Sequence, residues 1–150
     1  MILYGGKGNT VLVGETWYWD NADDSWVKLA RVNSPKARTQ HRTAYDEING
    51  QIVMFGGCAG DCFSRTQAPL VTVLNATWLL GSGRWRRASP TTPPPRRCCV
   101  GLAWDPSTSN GRVVLFGGAT RGPSFFNDTW LWDGTNWCQT GVTCAETITG

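Results

Sequence analysis

At 150 residues, 41% of them hydrophobic, the chain has enough apolar material for a sizeable core and too much for a disordered coil. Its formal net charge of +3 is too small to argue by itself for nucleic acid, and no apolar run is long enough to span a bilayer. Nine tryptophans and eighteen glycines, without a sustained helical apolar stripe, favour short strands and tight turns over a helical fold.

Met1 runs directly into Ile2-Leu3-Tyr4-Gly5-Gly6, without the basic flank, long apolar core or small-residue cleavage site of a signal peptide. Ile2 to Gly5 reads as a short buried strand closed by the doublet Gly5-Gly6. Glu15 to Trp19, alternating around Trp17 and Trp19, is the next strand, and Trp26 to Val32 a third. These are labelled B, C and D, because an inner strand A is missing from this unit.

Arg38 to Ile48 supplies strand A of a second unit, and Asn49-Gly50 is a two-residue hairpin signal leading into strand B. That strand, Ile52 to Phe55, is apolar on consecutive residues, which suits a strand covered on both faces. A long insertion, Cys58 to Leu74, precedes strand C at Ala76 to Leu80 and strand D at Trp85 to Ala88. The proline-rich link Ser89 to Arg97 reads as a stiff polyproline II connector in preference to a ligand for an aromatic groove. The third unit has A at Cys98 to Trp104, a hairpin signal at Asn110-Gly111, B at Val113 to Phe116, C at Thr129 to Asp133, and D from Trp137.

The parts recur in register. Glycine doublets stand at Gly5-Gly6, Gly56-Gly57 and Gly117-Gly118, Thr-Trp pairs at Thr16-Trp17, Thr77-Trp78 and Thr129-Trp130, and closing tryptophans at Trp26, Trp85 and Trp137. Units of about 1–33, 34–92 and 93–138 follow, with 139–150 as a tail or the start of another inner strand. Cys144 to Thr149 is β-prone and suits that vacant inner position, but it lacks the arginine of the other A strands.

Over about residues 1 to 138 this set of motifs resembles the kelch superfamily, including the kelch-like central domain of galactose oxidase. The matching features are the doublets, Asn-Ala-Thr-Trp and Asn-Asp-Thr-Trp, Asp133-Gly134 and the closing tryptophans. Only Arg38-Thr39-Gln40-His41 gives the Arg-x-x-His that often opens strand A; Val100 replaces the histidine in the third unit. The resemblance implies an all-β, kelch-type β-propeller segment of about three four-stranded blades, and most often a binding or scaffolding role. Propellers close with about four to eight blades, so three make a partial ring or one completed by association. A piece of a longer chain and a self-assembling half-ring are the two expectations.

No catalytic set is visible. His41 is the only histidine and reads as a structural hydrogen-bonding group. The copper chemistry of galactose oxidase needs two histidines, so neither a metal nor another cofactor is expected. Cys58 and Cys62 suit a disulfide stapling the long insertion better than a metal knuckle, and Cys138 and Cys144 suit one closing the tail. Cys98 and Cys99 read as buried free thiols. The six cysteines lean towards an extracellular over a cytoplasmic compartment. Asn75 and Asn127 match the N-glycosylation pattern, yet occupy the same repeat position, which structure alone accounts for.

Antiparallel strands put the long B–C and D–A connections on one side of such an assembly, where binding usually resides. Lys36, Arg38, Arg96 and Arg97 stand at the inner-strand entrances there, with Arg65 and Arg121 on adjacent loops. They are expected to form a basic rim for an acidic peptide, a carboxylate or an anionic glycan, against the alternative that the charges serve solubility alone. The functional expectation is a non-catalytic interaction module with a protein or anionic ligand and no nucleic acid. The alternatives are a fragment of a galactose-oxidase-like or carbohydrate-active enzyme whose catalytic residues lie elsewhere, and a self-assembling structural subunit.

Overall fold

A computed structural model describes residues 1–9, 11–30, 33–60, 71–121 and 124–144. Thirteen strands run through them: β1 (Ile2–Tyr4), β2 (Thr16–Asp20), β3 (Ser25–Lys28), β4 (Arg42–Asp46), β5 (Gln51–Phe55), β6 (Cys58–Ala59), β7 (Thr72–Val73), β8 (Thr77–Gly81), β9 (Arg84–Arg87), β10 (Gly101–Asp105), β11 (Arg112–Phe116), β12 (Thr129–Trp132) and β13 (Trp137–Gln139). The fold is all-β and every pairing is antiparallel.

Three meandering sheets carry the chain, in the orders β1-β2-β3, β4-β5-β8-β9 and β10-β11-β12-β13; β6 and β7 form a separate ribbon at the roots of the long insertion. The sheets stack in sequence order. Strand alternation sends successive side chains to opposite faces. In the second sheet, Val53, Phe55 and Leu79 therefore pack on Val113, Leu115, Trp130, Trp132 and Trp137 of the third. Their neighbours Met54, Leu80 and Trp85 pack on Tyr4 of the first. Strand β5 is thus covered on both sides, as its uninterrupted apolar run requires, and Val53, Met54 and Phe55 are fully buried. Burial of side chains this size stabilises by about 1.5–3 kcal/mol each, so the two seams between sheets are the core of the molecule.

Local chemistry shifts several expected boundaries. Strand A begins at Arg42 and Gly101, later than Arg38 and Cys98, because Gln40 and Cys99 adopt left-handed φ values of 56° and break the extended run. The Asn49-Gly50 turn is a four-residue loop, not a two-residue one, since Asp46 pairs with Gln51. The Asp46 carboxylate accepts from the Asn49 backbone and side chain at 3.0 and 2.8 Å, which draws the chain into the wider loop. The Asn110-Gly111 loop is longer again, Asp105 pairing with Arg112. The two-residue turn of the fold is Ser82-Gly83, between paired Gly81 and Arg84, with both φ values positive as a type I′ hairpin demands.

The proline-rich link packs as a connector. Pro94 is buried, and Thr91 and Thr92 bond Asn136 and the Trp137 carbonyl beside β13. Among the described residues no helix is long and apolar enough to cross a membrane.

Candidate functional site

Each glycine doublet sits at the same end of its sheet, where B turns towards C. Gly5, Gly56 and Gly117 donate to the carbonyls of Glu15, Ala76 and Asp128, one residue before each Thr-Trp pair. The second glycine reaches onward to the next sheet: Gly6 donates to the Arg38 carbonyl, and Gly57 to that of Arg97. This end gathers the described roots of the β5–β8 insertion and of the β11–β12 loop, together with the β9–β10 link. Arg97 N, for instance, donates to Leu74 O at 3.1 Å.

Arg38 and Arg97, expected on a basic rim, are buried to 3% and 0% exposure. Both are fastened in the same way. The Arg38 Nη1 donates to Gly56 O at 3.0 Å and its Nε to Lys36 O; the Arg97 Nη1 donates to Gly117 O at 3.1 Å and its Nε to Pro95 O. Each arginine therefore ties the doublet of its own sheet to the doublet of the sheet before. Arg97 also makes a two-pronged ion pair with Asp128, its Nη2 standing 3.0 Å from Oδ2, and lies 3.7 Å from the centre of the Phe126 ring. The hydrogen bonds from Arg97 hold the Asp128 carboxyl below its ordinary range.

The other rim residues divide differently. Lys36, Arg96 and Arg121 are exposed, with Arg96 tethered to the Val73 carbonyl of β7; Arg65 lies outside the described residues. Asn127 is exposed, whereas Asn75 is half-buried in a cavity of about 210 Å³ beside Arg87 and Pro90. Cys138 and Cys144 form a disulfide that pins a turn against β13, so Cys144 opens no new strand; residues 145–150 lie outside the described region. Cys58 is buried on β6, and Cys62 is not among the described residues. Cys98 and Cys99 are free, the first buried and the second half-buried; burial pushes the Cys98 thiol up to about 12, which leaves it a poor nucleophile.

His41 stands in the first seam, edge-on to Tyr4 at 5.5 Å, with Nδ1 buried and without a hydrogen-bond partner. Burial first, then the charges of Arg38 and Arg42, pull its pKa down to about 4, so it is neutral at pH 7. Among the described residues no group of three or more His, Cys, Asp or Glu is placed to hold a metal ion.

A second hollow, about 270 Å³, opens at the opposite end between the second and third sheets, lined by Asp46, Asn49, Trp104, Arg112, Trp132 and Asp133. Its carboxylates are turn caps: Asp46 serves Asn49, and Asp133 accepts from the Thr135 and Asn136 backbone at 2.8 and 2.7 Å. Sequence reasoning missed Asp128 and the threonines of the Thr-Trp pairs as partners. The only signal was the contrast between Asn-Asp-Thr-Trp and Asn-Ala-Thr-Trp at one repeat position. No protein-family model matches the chain, and no curated protein matches it.

Proposed function

We propose that the chain is a segment of a kelch-type β-propeller acting as a non-catalytic interaction module, which takes an acidic peptide at the end where the long connections gather. The observation that supports this reading is the repetition of seam chemistry. Trp85 Nε1 donates to Thr16 Oγ1 at 2.8 Å across the first seam, and Trp137 Nε1 to Thr77 Oγ1 at 2.8 Å across the second. With the paired arginine staples, this supports reading the three sheets as repeats of one unit, as successive blades would be. It also sets the described roots of the long connections at one end of the stack, where Lys36, Arg96 and Arg121 keep their charges in solvent. Buried Arg38 and Arg97 hold the scaffold, and the exposed trio meets the ligand.

The test is titration of a fluorescent polyglutamate peptide. Binding should weaken with salt and fall by about tenfold or more in Lys36→Glu/Arg96→Glu/Arg121→Glu. Arg84→Glu/Arg86→Glu, on the exposed edge of β9, should leave it unchanged. Equal binding by the triple variant would remove the rim from consideration. Heparin binding without peptide binding would reassign the rim to an anionic glycan.

A further inference from the structure

Both internal seams use one donor side and one acceptor side. The side of each sheet that faces its predecessor presents the tryptophans: Trp78 and Trp85 in the second sheet, Trp130, Trp132 and Trp137 in the third. The side that faces its successor presents threonine, aliphatic groups and a phenyl ring: Thr77, Val53, Leu79 and Phe55 in the second.

The outermost faces of the stack repeat these two halves. On the first sheet, β2–β3 pairing puts Trp19 beside Trp26 and Trp17 beside Lys28 on the uncovered side, at the positions of the seam-forming tryptophans. Trp26 is 40% exposed and Leu3, paired with Trp17, is 49% exposed. On the third sheet, β11–β12 pairing puts Thr129 beside Phe116 and Leu131 beside Val114 on the uncovered side, at the positions of Thr77, Phe55, Leu79 and Val53. Phe116 is 56% exposed, whereas Phe55 in the same place is fully buried. Among the described residues, Trp26 Nε1 has no acceptor and Thr129 Oγ1 has no donor. The series Trp85 to Thr16 and Trp137 to Thr77 thus lacks one member, Trp26 to Thr129, whose two halves lie at opposite ends of one molecule.

We infer that this chain pairs head-to-tail with a second copy of itself, the tryptophan face of the first sheet seating on the Thr129–Phe116 face of the partner's third sheet, with Trp26 Nε1 donating to Thr129 Oγ1. The contact is heterologous, so the rotation that each seam imposes must close it. That closure rests on the propeller reading above. Propellers close with about four to eight blades, and each copy supplies three sheets, so two copies fall in that range and one or three do not. The occupant must carry this same repeat chemistry, and a second copy supplies it without any further partner.

Sedimentation of the full chain tests the idea. The wild type should run at twice the 16.4 kDa chain mass, and Trp26→Arg and Phe116→Arg should each run as monomers that still unfold cooperatively in urea. Mixing the two variants should give one-to-one dimers only at higher concentration than the wild type, because the mixed pair keeps one intact seam and sets arginine against arginine in the other. A monomeric wild type would overturn the proposal and leave further sheets of a longer protein as the cover. Dimers that survive Phe116→Arg would overturn the head-to-tail arrangement. Neither substitution touches Lys36, Arg96 or Arg121, so peptide binding by the monomeric variants separates failure of this pairing from failure of the ligand-binding reading.

Discussion

Arg38 and Arg97 hold the same station in consecutive repeats but differ in side-chain partners, Arg38 standing beside Tyr4 and Arg97 against Phe126 and Asp128. Arg97 meets Asp128, which also accepts from Trp130 Nε1 at 2.8 Å; the residue in the place of Asp128 beside Arg38 is Ala76. Trp78 Nε1, the counterpart of Trp130 Nε1, is consequently buried without a bond. Ala76→Asp should give Trp78 Nε1 its acceptor and Arg38 a carboxylate partner, and raise stability by roughly 1–2 kcal/mol, read from urea denaturation. His41 sets an acid limit. Its folded pKa of about 4 lies below the ordinary value near 6.5, so between these values the unfolded chain binds more protons. Stability present above pH 6.5 is therefore lost as pH falls towards 4. His41→Val, the residue at the matching position 100, should flatten urea midpoints across that window. Asp128 contributes a separate loss only at pH near or below its ordinary value of 3.8, because its folded pKa is lowered. Counting charges along the sequence placed both arginines in solvent. What it lacked was the demand of the doublet carbonyls, which need a donor once a neighbouring sheet removes them from water.

At the level of elements, the glycine at the end of strand B is set by close approach as well as by φ. A Cβ on Gly56, at φ +66°, would stand 2.4 Å from the Arg97 carbonyl oxygen, and that backbone is itself fixed by the Gly57 N–H. Gly56→Ala should cost roughly 3 kcal/mol or more in urea denaturation. Gly83→Ala, with φ +73° and nothing within 4 Å, should cost only the left-handed penalty of about 1–2 kcal/mol. The eleven strands of the three sheets were legible from the doublets, the Thr-Trp pairs and the tryptophan spacing, because seam positions repeat with the period of the chain. The hairpin after β4 was misjudged because an aspartate three residues earlier competes for the Asn49 amide, and dipeptide rules do not see it. The break before strand A was hidden for another reason. Gln40 and Cys99 take up a conformation that glycine usually signals, held there by the bond from Cys99 N to Gln40 O between neighbouring sheets.

For the molecule as a whole, the sequence conveyed that apolar runs on consecutive residues must be covered on both sides, and β5 meets that condition. It did not convey which side of each sheet bears tryptophan and which bears threonine. That sidedness needs the strand register, and it turns a stack of similar sheets into one with distinct ends. The indoles that mark it have an optical consequence. Trp85 lies edge-on to Tyr4 at 5.3 Å and Trp137 edge-on to Phe55 at 5.5 Å, each shielded from solvent and hydrogen-bonded across its own boundary. Parting a boundary would wet the indoles that line it, Trp78 and Trp85 at the first and Trp130, Trp132 and Trp137 at the second, and redden their emission, so the protein carries native fluorophores at each joint.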